Sequence, residues 1–281
     1  MSSTPFRWDL VTPDQLGSLV NPSEPFPTSF LDELVDASGR MLARSGGGDL
    51  VFVGRSLDSM FDLLGGVLDG TAHAARLHRL PLSFAPDRQQ VITAEHVRFL
   101  REQLSHIGLS PWHLARRETP AVVVDVAHTG STFGELFGAL RAWVAETREP
   151  WNVVRTKLRF LGVTSRTHTS PNTWRWQQHA DWTSELPSSA VKNVSLDRFA
   201  WSYFADQQDK LTRSHRIRDW VSESEGPARD ERTRAALAEA LAYVAAGRSA
   251  EVRSAVVRAM RGEPALSEQW LRSLVIELGR P

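Results

Sequence analysis

Ala121-Val122-Val123-Val124-Asp125-Val126-Ala127-His128-Thr129-Gly130-Ser131-Thr132 is the stretch on which the fold turns. Its first half is a short, continuous apolar run, the signature of a strand buried on both faces. Its second half is small, polar and interrupted by Gly130. Directly after it, Phe133, Leu136, Phe137, Leu140, Trp143 and Val144 recur at helical spacing. Strand, tight turn and helix in that order are the working half of a parallel βαβ unit.

The same alternation extends in both directions. Upstream, Ser29 opens a helical stretch with Phe30, Leu31, Leu34, Val35, Met41 and Leu42 near one face. Leu50-Val51-Phe52-Val53 then reads as a buried strand ending in the turn Gly54-Arg55-Ser56. Leu57, Met60, Phe61, Leu64, Val67 and Leu68 give a helix, and a second strand is expected near Leu80–Phe84. Thr93 can cap a helix carrying Val97, Leu100, Leu104 and Ile107, while Pro111 and Pro120 bracket an expected loop. Downstream, residues 153–163 read as another strand. The order predicts an α/β fold, a mostly parallel sheet flanked by helices.

Three regions lie outside that pattern. Residues 1–28 carry five prolines and no period, and are expected to form an extended arm. Residues 165–215 are polar, tryptophan-rich and poorly periodic, which reads as a cap completing the α/β domain of residues 29–215. In the remaining stretch, 216–281, three amphipathic helices are expected from Ala228 onward, marked by Leu237/Leu241/Val244, Val252/Val256/Met260 and Trp270/Leu274/Leu278.

Composition narrows the function. The 281 residues include 33 basic and 33 acidic side chains, so a nucleic-acid binder working through a basic surface is not expected. With no cysteine there is no disulfide scaffold, thiolate metal site or cysteine nucleophile. No run of residues has the length of a membrane span, and the N-terminus lacks the basic and apolar parts of a signal peptide, so a cytoplasmic protein without membrane contacts is expected. The nine histidines show no paired ligand spacing, and no tightly held metal site is predicted. A homodimer stays possible.

Two turns carry the chemistry. In a parallel sheet, ligands sit beyond the carboxyl ends of the strands, where loops enter helices. Gly130 among small hydroxyl residues before a helix offers free backbone N–H groups and hydroxyls to an anion. Asp125, at the strand end, can face the same crevice and accept hydrogen bonds from sugar hydroxyls or from metal-bound water. The alternative is a plain helix cap in which Thr129 or Ser131 satisfies the first turn. In Gly54-Arg55-Ser56, the guanidinium suits a pair of pyrophosphate oxygens, although an exposed turn arginine explains the residue equally well.

Residues 122–132 resemble the phosphoribosyl pyrophosphate (PRPP) motif of type I phosphoribosyltransferases: a hydrophobic strand, two acids, two apolar positions and a Thr-Thr-Gly-x-Thr-like loop. The resemblance covers roughly residues 45–165 and implies that fold. It makes His128, Thr129, Gly130, Ser131 and Thr132 the loop for the 5-phosphate and Asp125 the acid for the ribose. It makes Gly54, Arg55 and Ser56, roughly 70 residues ahead of the phosphate loop, the pyrophosphate turn. Asp125 and Arg55 are then the catalytic pair, with Mg²⁺ brought by PRPP near Asp125. Val124 stands where the family has its first acid, and His128 replaces the usual Thr or Ser. The implied activity is phosphoribosyl transfer from PRPP to a nucleobase or small-metabolite acceptor, a glycosyltransferase step of nucleotide metabolism. The missing acid motivates a second expectation, a non-catalytic protein that senses PRPP or a nucleotide. A phosphate-ester hydrolase lacks a visible nucleophile–base pair, and neither a P-loop nor a G-x-G-x-x-G motif is present.

Four of the ten tryptophans fall between Trp174 and Trp201. Most are expected to fill a small core, with Trp174 and Trp176 the candidates for stacking on the acceptor, since Trp174-Arg175-Trp176 alternates like an exposed strand. Lys192 interrupts an apolar stretch and reads as a solvated lysine or a phosphate contact.

Overall fold

Alternation along the valine run sorts the molecule into two cores. Val122 and Val124 join one buried cluster, Ala121 and Val123 the other, as the period of two in a strand requires. The computed structural model describes residues 4–12, 28–84, 91–168, 171–222, 226 and 228–279. Its sheet has five parallel strands in the order β2-β1-β3-β4-β5: β1 Asp49–Val53, β2 Leu77–Leu80, β3 Ala121–Val126, β4 Leu158–Ser165 and β5 Val191–Leu196.

One face is covered by α1 (Leu31–Arg44), α2 (Asp58–Leu68), α8 (Glu231–Arg248), α9 (Ala250–Arg261) and α10 (Gln269–Leu278). The other carries α3 (Ala94–His106), α4 (Pro111–Arg116), α5 (Ser131–Thr147) and α6 (Trp151–Lys157). The C-terminal helices share the sheet's own core: Tyr243, Val256, Met260 and Leu271 are buried in one cluster with Phe52, Val122 and Leu161. After β5 comes α7 (Arg198–Ser202), then a π-helical turn at Tyr203–Gln207 and an irregular strap across Gln208–Arg216. No helix is long and apolar enough to cross a membrane, among the described residues.

Several expectations change. The second strand lies at Leu77–Leu80, ahead of its expected place, because Pro81 brings no backbone N–H to continue the ladder. The loop expected between Pro111 and Pro120 contains α4, which Pro111 opens from its first turn under a Ser110 cap. Residues 151–157 are helical and the strand starts only at Leu158, since Val154 is buried against the α4–α6 side of the core. Ser29 does not cap α1, whose N-cap is Phe30 in a left-handed conformation. Residues 165–215 are not simply a cap, for Val191–Leu196 forms the sheet's fifth strand. Within the expected arm, Trp8 and Leu10 are buried against α8, while residues 1–3 and 13–27 lie outside the described residues. The Thr93 cap forms as expected, accepting from the His96 N–H.

Candidate functional site

Strand order creates the crevice. From β1 the chain crosses to β2 on one side, and from β3 to β4 on the other, so the two connections leave in opposite directions. The gap beyond the carboxyl ends of β1 and β3 is the place where an open parallel sheet has room for a ligand. A cleft of about 370 Å³ lies there, lined by Gly54, Arg55, Ser56, Asp125, Ser131 and Thr132. Both turns singled out in the sequence therefore face one space.

On the β3 side, Gly130 is the N-cap of the 17-residue helix α5, with φ of 75° and no side-chain cap bond. The plain-cap alternative is thus not realised, and the first two helical residues, Ser131 and Thr132, lie on the cleft lining, which sets the uncapped, positive end of the helix dipole at that wall. A side chain at position 130 would collide with the indole of Trp176, so glycine is required by both backbone and space. Asp125 is 8% exposed. One of its oxygens accepts the Val126 N–H at 2.7 Å, and the Thr132 hydroxyl also bonds it. Burial nevertheless pushes its pKa up to about 7, against those two hydrogen bonds.

On the β1 side, Gly54 has φ of 68° and its N–H donates to the Leu80 carbonyl at 2.9 Å. Arg55 Nη1 donates to the Thr212 carbonyl at 3.1 Å. Burial lowers the guanidinium's pKa against Asp58, with Arg216 adding to the effect, and an arginine stays charged throughout.

A buried charge cluster fixes this turn from below. Arg7 from the N-terminal segment pairs with Asp58 at 2.8 Å and also with Asp62, while Arg79 of β2 pairs with Asp58 at 2.6 Å. Burial alone would raise the Asp58 carboxyl, but Arg79 and Arg7 overcome it and hold it below the usual value. Asp62 is pushed up by burial, with Arg7 opposing. Lys210 donates to the Ser56 carbonyl at 2.9 Å and the Phe204 carbonyl at 2.7 Å. Burial lowers its pKa to about 8.

The same cluster anchors a wall that sequence reasoning missed. Thr212, Arg213, Ser214, His215 and Arg216 close the outer side of the cleft, with Ser83 and Phe84 beneath. The strap is tied to the sheet where the Ser83 N–H donates to the His215 carbonyl at 2.8 Å. Its only local signal was a basic run, Arg213 to Arg218, in a stretch without period. Arg55, Arg213 and Arg216 thus share the lining with a single carboxylate, Asp125.

Several expected residues stand elsewhere, and Gly130 itself is buried beneath Trp176 and not on the lining. His128 and Thr129 are exposed and do not line the cleft. Trp174, 42% exposed, donates its Nε1–H to the His128 carbonyl at 2.6 Å and stacks on His179, bracing the β3–α5 loop from outside. The expected exposed alternation at 174–176 does not form. Trp176 is fully buried in a 3₁₀ turn, with Nε1 bonded to Asn193 Oδ1 at 2.8 Å, and it supports Gly130 rather than a ligand. Lys192 is exposed on β5, far from this cleft in the fold.

Among the described residues, no three His, Asp or Glu side chains form a group able to hold a metal ion. One carboxylate is too few for a resident Mg²⁺, which takes oxygen ligands in octahedral geometry, so this donor set fits only a cation already carried by a ligand's phosphates. Compared with protein-family models, curated proteins and solved structures, the chain matches none.

Proposed function

We propose that the cleft binds PRPP and transfers its 5-phosphoribosyl group to an acceptor, a nucleobase or small metabolite, with release of pyrophosphate. The observation that carries this reading is the convergence of the β1 turn and the β3–α5 loop on one crevice, which sets an anion cradle opposite a guanidinium. The α5 N-terminus with Ser131 and Thr132 takes the remote 5-phosphate, and Asp125 takes the ribose hydroxyls. Gly54, Arg55 and Ser56 take the pyrophosphate. The bond from C1 to the pyrophosphate oxygen breaks, a bond from C1 to the acceptor forms, and the acceptor's proton leaves to solvent. Charge gathers on the departing pyrophosphate, where Arg55 is already held in place. Mg²⁺ belongs to the PRPP complex as substrate.

Calorimetry with Mg²⁺–PRPP tests the reading: binding is expected in the wild type, weakened about tenfold or more in Thr132→Val, and lost in Asp125→Ala and Arg55→Gln. Absence of binding by the wild type would overturn it. A second reading, a sensor that binds PRPP or a nucleotide without turnover, is favoured by Val124, which is fully buried in the opposite core and offers no first acid. PRPP binding without pyrophosphate release across a mixed acceptor library selects the sensor.

A further inference from the structure

A second, larger groove lies at the other end of the sheet. It measures about 910 Å³, in the range that holds a small molecule, and runs around the amino-terminal ends of β4 and β5. On β4, Leu161 and Val163 face the core under α1 and α9; on β5, Val194 and Leu196 do the same. By the period of two, Arg159 and Lys192 lie on that same face. Lys192 is opposite Leu161 in the register, which makes Arg159 its diagonal neighbour, within reach of one ligand group.

Arg159 is the telling residue. Its guanidinium is half-buried and Nη1 donates to the Ser45 carbonyl at 3.2 Å. Burial lowers its pKa, and no carboxylate among the described residues offsets the loss of water. A lysine on an edge strand can serve simply to keep other strands away, but β4 is an inner strand and that explanation does not reach Arg159. Arg44, also on the lining, is already neutralised by Glu263, which accepts from it at 2.7 and 2.8 Å. Arg159 and Lys192 then share the lining with one further carboxylate, Glu268.

The glycine turn between α1 and β1 is shaped around these side chains. The Arg159 guanidinium occupies the space that a side chain at Gly46 would need. At Gly47, a Cβ would stand 3.1 Å from the indole of Trp270. Successive glycines thus seat a cation and a flat aromatic ring next to each other in the groove. Paired cations recognise phosphate, and an indole beside them recognises a planar heterocycle.

We propose that this groove binds a nucleoside phosphate, its phosphate held by Arg159 and Lys192 and its base resting against Trp270. The site shares no residue with the cleft at the carboxyl ends and does not depend on the reading given for it.

Titration calorimetry with ADP and with inorganic phosphate separates the possibilities on the full chain. ADP is expected to bind the wild type and the doubly substituted cleft variant Arg55→Gln/Thr132→Val alike. Loss of one charged contact in Lys192→Gln or Arg159→Met is expected to weaken ADP about tenfold or more. Lys192 is exposed, so its substitution leaves folding intact. Trp270→Leu is expected to weaken ADP while leaving phosphate unchanged. The site is overturned if the wild type gives no heat with ADP, if the cleft variant abolishes binding, or if Lys192→Gln and Arg159→Met both bind as the wild type does. Equal affinity for ADP and phosphate overturns the nucleoside assignment.

Discussion

Asp125 pays for its position. A carboxyl normally titrating at 3.8 is raised to about 7 by burial, so between those values the native state keeps a proton that the unfolded chain has released. Stability contributed at low pH is therefore lost as pH rises through that window and stays lost above it. Asp125→Asn, which can still accept the Val126 N–H, is expected to be more stable than wild type at pH 8, with the gap closing near pH 4. At about 1.4 kcal/mol per pKa unit the gap is at most a few kcal/mol. Urea midpoints across pH measure it, and a parallel pair of pH profiles would refute it. Thr132→Val is expected to leave the fold intact, since Thr132 is only partly buried, and to weaken Mg²⁺–PRPP about tenfold or more through the lost hydroxyl. Both residues were legible in the sequence, because a strand end and a helix start a few positions apart must share a crevice. The roles of Trp174 and Trp176 were not legible, because alternation in a short irregular segment does not report which ring lies inward.

At the scale of elements, the β3–α5 loop rests on a backbone–indole contact. Gly130→Ala forces a left-handed alanine against Trp176 and is expected to cost about 2–4 kcal/mol in urea unfolding. Thr129→Ala, one residue earlier and exposed, is expected to cost under about 0.5 kcal/mol. Similar losses in the two variants would show that the indole does not support the loop. The strand at Ala121–Val126 was readable because an unbroken apolar run fits little else between two proline- and glycine-rich stretches. The start of β4 was not: Val153 and Val154 favour a strand locally, and only packing beneath α4 makes them helical. β5 was hidden for a related reason. Its Lys192 and Asn193 break the apolar run because one faces the second groove and the other bonds Trp176.

For the whole molecule, the cleft depends on residues far apart in the chain. Arg7, Asp58, Asp62, Arg79, Lys210 and Thr212 meet beneath it, so two helix residues, one strand residue and two irregular segments share one set of charges. Arg7→Met leaves two buried carboxylates short of a partner and is expected to cost roughly 3–5 kcal/mol, with Asp62→Asn in the same chain restoring part of it. The loss is expected to be insensitive to added salt, as buried pairs are poorly screened. An Arg7→Met protein with wild-type urea midpoint and PRPP affinity would remove the cluster from the account of the site. None of this was readable from the sequence, since ion pairs spanning 21 to 55 positions and a hydrogen bond spanning 205 leave no local period.

That clamp also sets an order of assembly. During synthesis the five strands are all available once Leu196 has emerged, and the glycine turn at Gly130 well before that. The outer wall must wait for Thr212, whose hydroxyl accepts from an arginine made 205 positions earlier. A nascent chain halted after β5 would own the glycine turn without its wall, with Arg7 already able to pair with Asp58 and Asp62 but one acceptor, Thr212, not yet made.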